Sequence, residues 1–228
     1  MRNICIPVIL FLFMITPSIA GDVLVFDRFG KEYKPVKGDK LLNSETEEAG
    51  IFELRFIREA EDMGFFDPDI EGGESLGEKR RHVIIECFKD VSRLFVRPEG
   101  SGPVKIDIYG SGAQSGAAAS PLYTVMKGEK SGLIDSHVRN AIVSGQAPID
   151  IARHTETHGY IKFNFNYQFN LDIDKEEFDE YDLYTVTLHE IFHLLGFGSL
   201  IGSEGLSRLN MLSGGFYSRF DLLLNYHK

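Results

Sequence analysis

Thr187-Leu188-His189-Glu190-Ile191-Phe192-His193-Leu194-Leu195-Gly196-Phe197-Gly198-Ser199 contains an H-E-x-x-H followed by x-x-G. Residues four apart share one face of a helix, so the imidazoles of His189 and His193 converge on one point, as two ligands of a tetrahedral Zn²⁺ must. Glu190 follows the first histidine and lies about a hundred degrees further round the helix. That puts it beside the metal rather than on it, where it can take a proton from an activated water. Leu183, Val186, Leu188, Ile191, Phe192, Leu194 and Leu195 make the surrounding helix apolar, and Gly196 is a natural stop. The plainer alternative, two ordinary half-buried imidazoles with Glu190 on a solvated face, does not need so apolar a helix.

Composition bounds the rest. The chain has 228 residues, 43% of them hydrophobic and 25% charged, with a net charge of −10. That is ordinary for a globular protein, and an acidic surface without a basic block argues against nucleic acid and anionic membranes as partners. Met1-Arg2-Asn3, the apolar run Ile4 to Ile15 and Ser18-Ile19-Ala20 read as the three parts of a signal peptide over residues 1–20. Secretion or delivery to a periplasm is therefore expected, with no stable insertion in the membrane, because the apolar run is too short to span one. Cys5 falls in that leader, leaving Cys87, which lies on the apolar face of a predicted helix and reads as a buried structural thiol.

Taken in order, residues 21–50 read as an N-terminal segment: a linker, a short propeptide or a domain edge, with a strand candidate at Asp22–Phe26. A domain over 51–228 opens with a strand at Ile51–Ile57. Val83, Ile84, Cys87, Phe88, Val91, Leu94 and Phe95 give a one-sided helix over 77–96, and Pro103–Tyr109 a strand. Residues 110–120 are small and flexible and read as a loop; short strands are expected at Leu122–Met126 and Val138–Val143. His154 and His158 are also four apart, but their polar surroundings favour a solvated loop over a second metal site. Ile161, Phe163, Phe165, Tyr167 and Phe169 alternate with polar residues, predicting a strand over 160–170. The acidic residues from Asp172 to Asp182 lead to a helix cap at Asp182, and lack the spacing of an EF-hand calcium loop.

The H-E-x-x-H-x-x-G pattern, with Gly196 at the glycine position, resembles the metzincin branch of the zincin metallopeptidases. Leu188–Leu200 with its G-F-G-S, together with Gly64-Phe65-Phe66-Asp67-Pro68 and Arg80-Arg81, is similar to exported bacterial zinc proteases distantly related to leishmanolysin. The resemblance implies an α+β, zincin-like catalytic domain: a mixed twisted sheet, a backing helix and an active-site helix. It implies His189 and His193 as zinc ligands, Glu190 as catalytic general base, Zn²⁺ as cofactor and a protein or peptide as substrate. It also implies that strand 160–170 is the edge against which an extended peptide pairs.

One departure stands out. Ser199 occupies the place of the usual third histidine, and a hydroxyl rarely ligates zinc in proteins. The remaining candidates are Glu204, Asp221 and His227, or a residue beyond Lys228 if the domain is truncated at its C-terminus; Met211 precedes His227 and cannot form the methionine turn expected after it. Two functions follow: an exported zinc endopeptidase, or a catalytically incomplete zincin-fold protein that binds peptides or surfaces. A non-peptidase hydrolase on the same scaffold remains a third, since the motif fixes the water and not the substrate.

Overall fold

The computed structural model describes residues 23–34, 44–58, 64–66, 75–110, 113, 115–126, 129–145, 156–175, 180–209 and 215–224. The signal-peptide reading, Asp67-Pro68, His154, Met211 and His227 lie outside them. The architecture is mixed α/β: a six-stranded mixed sheet, two small two-stranded sheets and four helices among the described residues. No helix there is long and apolar enough to cross a membrane.

The large sheet runs β1 (Val23–Asp27), β5 (Ala117–Met126), β7 (Gly159–Phe163), β4 (Val104–Tyr109), β3 (Phe52–Ile57), β2 (Glu45–Ala49). Three of its four inner strands, β3, β4 and β7, are parallel, while β2, β5 and β1 pair antiparallel. Helix α1 (Leu76–Ser92) links the parallel pair β3 and β4. Its apolar stripe, Val83, Ile84, Cys87, Phe88 and Val91, shares one core with Leu54, Phe56, Ile106, Ile108, Ile161 and Phe163 of the sheet. Buried parallel strands have to be apolar where helices cover them, and these are. Ser75 and Glu78 cap α1 reciprocally, and Arg80 and Arg81 donate to the carbonyls of Gly64 and Phe65. Two stretches singled out by resemblance are thus tied together. Cys87 is buried in this core, where burial pushes the thiol up to about 12, leaving it unreactive at neutral pH.

Several expectations are corrected. Ala117–Ser120, read as loop, begin β5; small side chains weaken the strand signal, but the pairing with β7 supplies the ladder. Val138–Val143 are helix, within α2 (His137–Ser144), where Ser136 caps the start and Val138, Ala141 and Ile142 bury one face at helical spacing. The strand read over 160–170 stops at Phe163; the chain turns at 165–166, where Asn166 N–H bonds Asn164 Oδ1, and resumes as β8 (Phe169–Asn170) beside β9 (Tyr181–Asp182). Nor is it an edge, because β7 lies between β4 and β5. The segment before residue 51 supplies both outer strands, β1 and β2.

His158 is buried, not solvated, as is His137. His158 Nδ1 accepts from Lys105 N–H at 2.8 Å, and His137 Nε2 meets Thr124 Oγ1 at 2.7 Å. Burial depresses both imidazoles, His137 to about 3 and His158 to about 4, from 6.5. Below pH 6.5 the unfolded chain therefore takes up protons that the folded chain refuses, so this stability is present above pH 6.5 and is lost as pH falls toward 4. The unfolding free energy from urea titrations should fall across that window by up to about 1.4 kcal/mol per pH unit per histidine, and more steeply than in His137→Gln/His158→Gln. Parallel pH profiles for the two proteins would contradict this.

Candidate active site

Helix α3 (Leu183–Leu194) carries the motif and starts as expected, with Asp182 Oδ2 accepting from Thr185 N–H at 2.7 Å. Leu183, Thr187, Ile191 and Leu194 face the core. Gly159, the first residue of β7, makes this approach feasible: a Cβ there would lie 2.9 Å from Leu194 Cδ2 and 2.9 Å from the Ser120 carbonyl oxygen. On the opposite side His189 is exposed and His193 half-buried, with ring centroids 4.7 Å apart and planes at 87°. The four-residue spacing thus puts the two imidazoles side by side on one helix face.

The end of the helix sets the tautomer of His193. Gly196 adopts φ 99°, Phe197 N–H bonds the Phe192 carbonyl at 3.0 Å, and Gly196 N–H bonds the His193 carbonyl at 3.1 Å. This is a Schellman closure, and the Phe192 and Phe197 rings, 5.5 Å apart, supply its usual apolar contact. The reversal brings the Phe197 carbonyl back over the helix, 2.7 Å from His193 Nδ1. Nδ1 must carry the proton to donate there, which leaves Nε2 with a free lone pair, the arrangement a metal-ligating histidine needs. Burial also depresses this imidazole below its ordinary value, favouring the neutral form.

Glu190 is only 5% exposed. Burial raises its carboxyl, and the adjacent His189 imidazole, the Arg28 guanidinium and a hydrogen bond from the Ala119 N–H of β5 act against that rise. Its Oε2 is buried and has no hydrogen-bond partner. Arg28 comes from the turn after β1: its backbone N–H donates to Ser120 Oγ at 2.7 Å. A Cβ on Gly198 would lie 3.1 Å from Arg28 Nη1 and 3.5 Å from His193 Nδ1, so guanidinium and imidazole flank the same bare glycine. Nothing in the sequence flags Arg28 or Ala119, which reach the motif only through sheet pairing.

The candidates for a third metal donor are placed as follows. Ser199 Oγ donates to Asp221 Oδ1 at 2.5 Å, and Asp221, fully buried, also receives the N–H of Leu200 and both the N–H and Oγ of Ser218. Asp221 is therefore committed to holding the loop after the motif, as is the serine that replaces the expected histidine. Glu204 lies exposed in a turn. No group of three His, Cys, Asp or Glu that could hold a metal occurs among the described residues. His189 and His193, with Glu190 beside them, are a partial donor set that would need one further protein ligand to hold a catalytic zinc. Comparisons of the chain with family models, curated proteins and solved structures give no match.

Two substitutions test this local architecture. Gly196→Ala forces a side chain into a left-handed conformation and should cost about 1–2 kcal/mol, while weakening any metal bound through His193. Asp221→Ala leaves the Leu200 and Ser218 donors buried without an acceptor and should cost about 3 kcal/mol or more. Chemical denaturation measures both, and an Asp221→Ala protein as stable as the parent would rule out the lock.

Proposed function

We propose that this chain is an exported zinc-dependent endopeptidase of the zincin kind, with His189 and His193 as metal ligands and Glu190 as general base. The observation that carries the reading is Glu190 itself: a buried carboxylate with an unpartnered oxygen, on the same helix as two imidazoles whose centroids lie 4.7 Å apart. A structure has no packing reason to keep such a group, since burying an unsatisfied carboxylate is destabilising, whereas a general base has to leave an acceptor free. The mixed sheet, the backing helix α1 and a motif helix under the antiparallel strand β5 agree with the zincin arrangement.

When bound, zinc supplies Lewis acidity, drawing electron density from a substrate carbonyl and lowering the pKa of water. The protein supplies the remainder. Glu190 Oε2 accepts the proton of the attacking water and returns it to the departing amine, completing hydrolysis of the peptide bond. The Phe197 carbonyl keeps His193 in its ligating tautomer. Extended peptide would pair along β5, not β7: the outer side of Ala117–Ser120 is not covered by β1, whose register begins at Leu122.

Glu190→Gln should retain zinc while lowering peptide hydrolysis at least a hundredfold, and His193→Ala should lose the zinc. Metal content by mass spectrometry and cleavage of a peptide library measure the two. Purified protein without zinc at neutral pH would refute the proposal. The second reading, a zincin-fold protein that binds peptides without turnover, is favoured by the absence of a three-donor group among the described residues. It predicts peptide affinity unchanged by chelator and no cleavage by any form.

A further inference from the structure

β1 runs antiparallel along the outer edge of β5, with Asp27 opposite Leu122. The next residue along the same edge is Arg28, beside Ser120. Had the strand continued, its backbone would have passed Ala119, whose N–H points at Glu190. Instead the chain turns away sharply. Asp27 Oδ1 accepts from the N–H groups of Phe29 and Lys31, both at 2.9 Å, Tyr160 OH fixes its other oxygen at 2.8 Å, and Gly30 completes the turn at φ 81°. What continues toward the motif is the Arg28 side chain alone. Its Nη1 reaches the bare Cα of Gly198 on the His193 side, and its Nε is buried without a partner.

A fixed guanidinium there places a full positive charge beside the imidazole and the carboxylate that a metal cation would use. Like charges drawn to the same partly buried carboxylate and imidazole repel, so the seated guanidinium and a divalent cation disfavour one another. The turn that presents Arg28 is firmly held, but the side chain has four rotatable bonds and can swing out with the strand in place. We propose that Arg28 is a resident counter-cation of the motif, presented by the turn after a strand that covers the edge of β5 from Leu122 to Met126, and that metal enters only as the Arg28 side chain leaves. This rests on the zinc reading above.

The test is zinc affinity, measured by competition with a chromophoric chelator on full-length protein, for the parent, Arg28→Ala, Arg28→Gln and Arg28→Lys. Removing the charge in the Ala and Gln variants should tighten zinc binding about tenfold or more, and the Lys variant, which keeps the charge, should stay within about threefold of the parent. Equal affinity in the parent and Arg28→Ala, or weaker affinity in Arg28→Ala, overturns the inference. If no variant binds zinc, the zinc reading fails, and a metal-free measurement still tests the seating of Arg28. Melting temperatures of Arg28→Ala, Glu190→Gln and the double variant should be non-additive by about 2–4 °C, whereas additivity would remove Arg28 from the site.

Discussion

Leu194 rests on the bare backbone of Gly159, and the depth of the whole site follows from that contact. A Cβ at Gly159 would meet Leu194, the Ser120 carbonyl and Pro121 within 3.1 Å, so any larger residue would lift α3 away from the junction of β5 and β7. With α3 seated, Glu190 comes against Ala119 and Ile191 enters the main core. The histidines then lie at the rim of the sheet instead of being buried beneath it. A one-residue difference in bulk at the start of β7 would thus alter the environment of a carboxylate on another element.

The electrostatics are set by the same geometry. Glu190 loses solvent because the helix is pressed onto the sheet, and burial alone would favour its protonated form. The Ala119 N–H and the Arg28 guanidinium oppose this, and the proposed role as base requires the ionised form. Arg28 is not fixed by the motif: it arrives through β1, whose pairing with β5 is specified by residues far away in the sequence. The charge balance of the motif therefore depends on the N-terminal strand as well as on α3.

Much of the helical organisation was legible. The stripe of α1, the Asp182 cap and the stop at Gly196 all rest on local periodicity and local capping, which a sequence displays directly. What was not legible depends on partners distant in the chain. Ala117–Ser120 look like loop because alanine and serine have weak strand preference, yet β7 holds them extended. Val138 and Val143 suggest a strand, but burial at Val138, Ala141 and Ile142 has helical period once the Ser136 cap is seen. The alternation from Ile161 to Phe169 continues past the end of β7 because the Phe165 ring packs edge-to-face against both Phe169 and Phe65, an aromatic cluster that keeps the apolar rhythm without the ladder. Within the site, the two imidazoles and Glu190 follow from spacing alone, while Arg28 and the Ser199–Asp221 bond required the fold.

That last bond bears on the metal question. In the resembled pattern the residue at 199 would turn its side chain back toward the two histidines. Here its hydroxyl is directed to Asp221, and the same carboxylate gathers Leu200 and Ser218, drawing α4 (Arg219–Leu224) and β10 (Phe216–Ser218) against the loop. Four donors converging on one fully buried carboxylate make a rigid junction, because breaking any one leaves a polar group without water. The segment after the motif is thus anchored away from His189 and His193, and a histidine at position 199 would break that anchor. A third ligand, if the site is a complete zinc centre, therefore has to come from a residue other than the one at position 199.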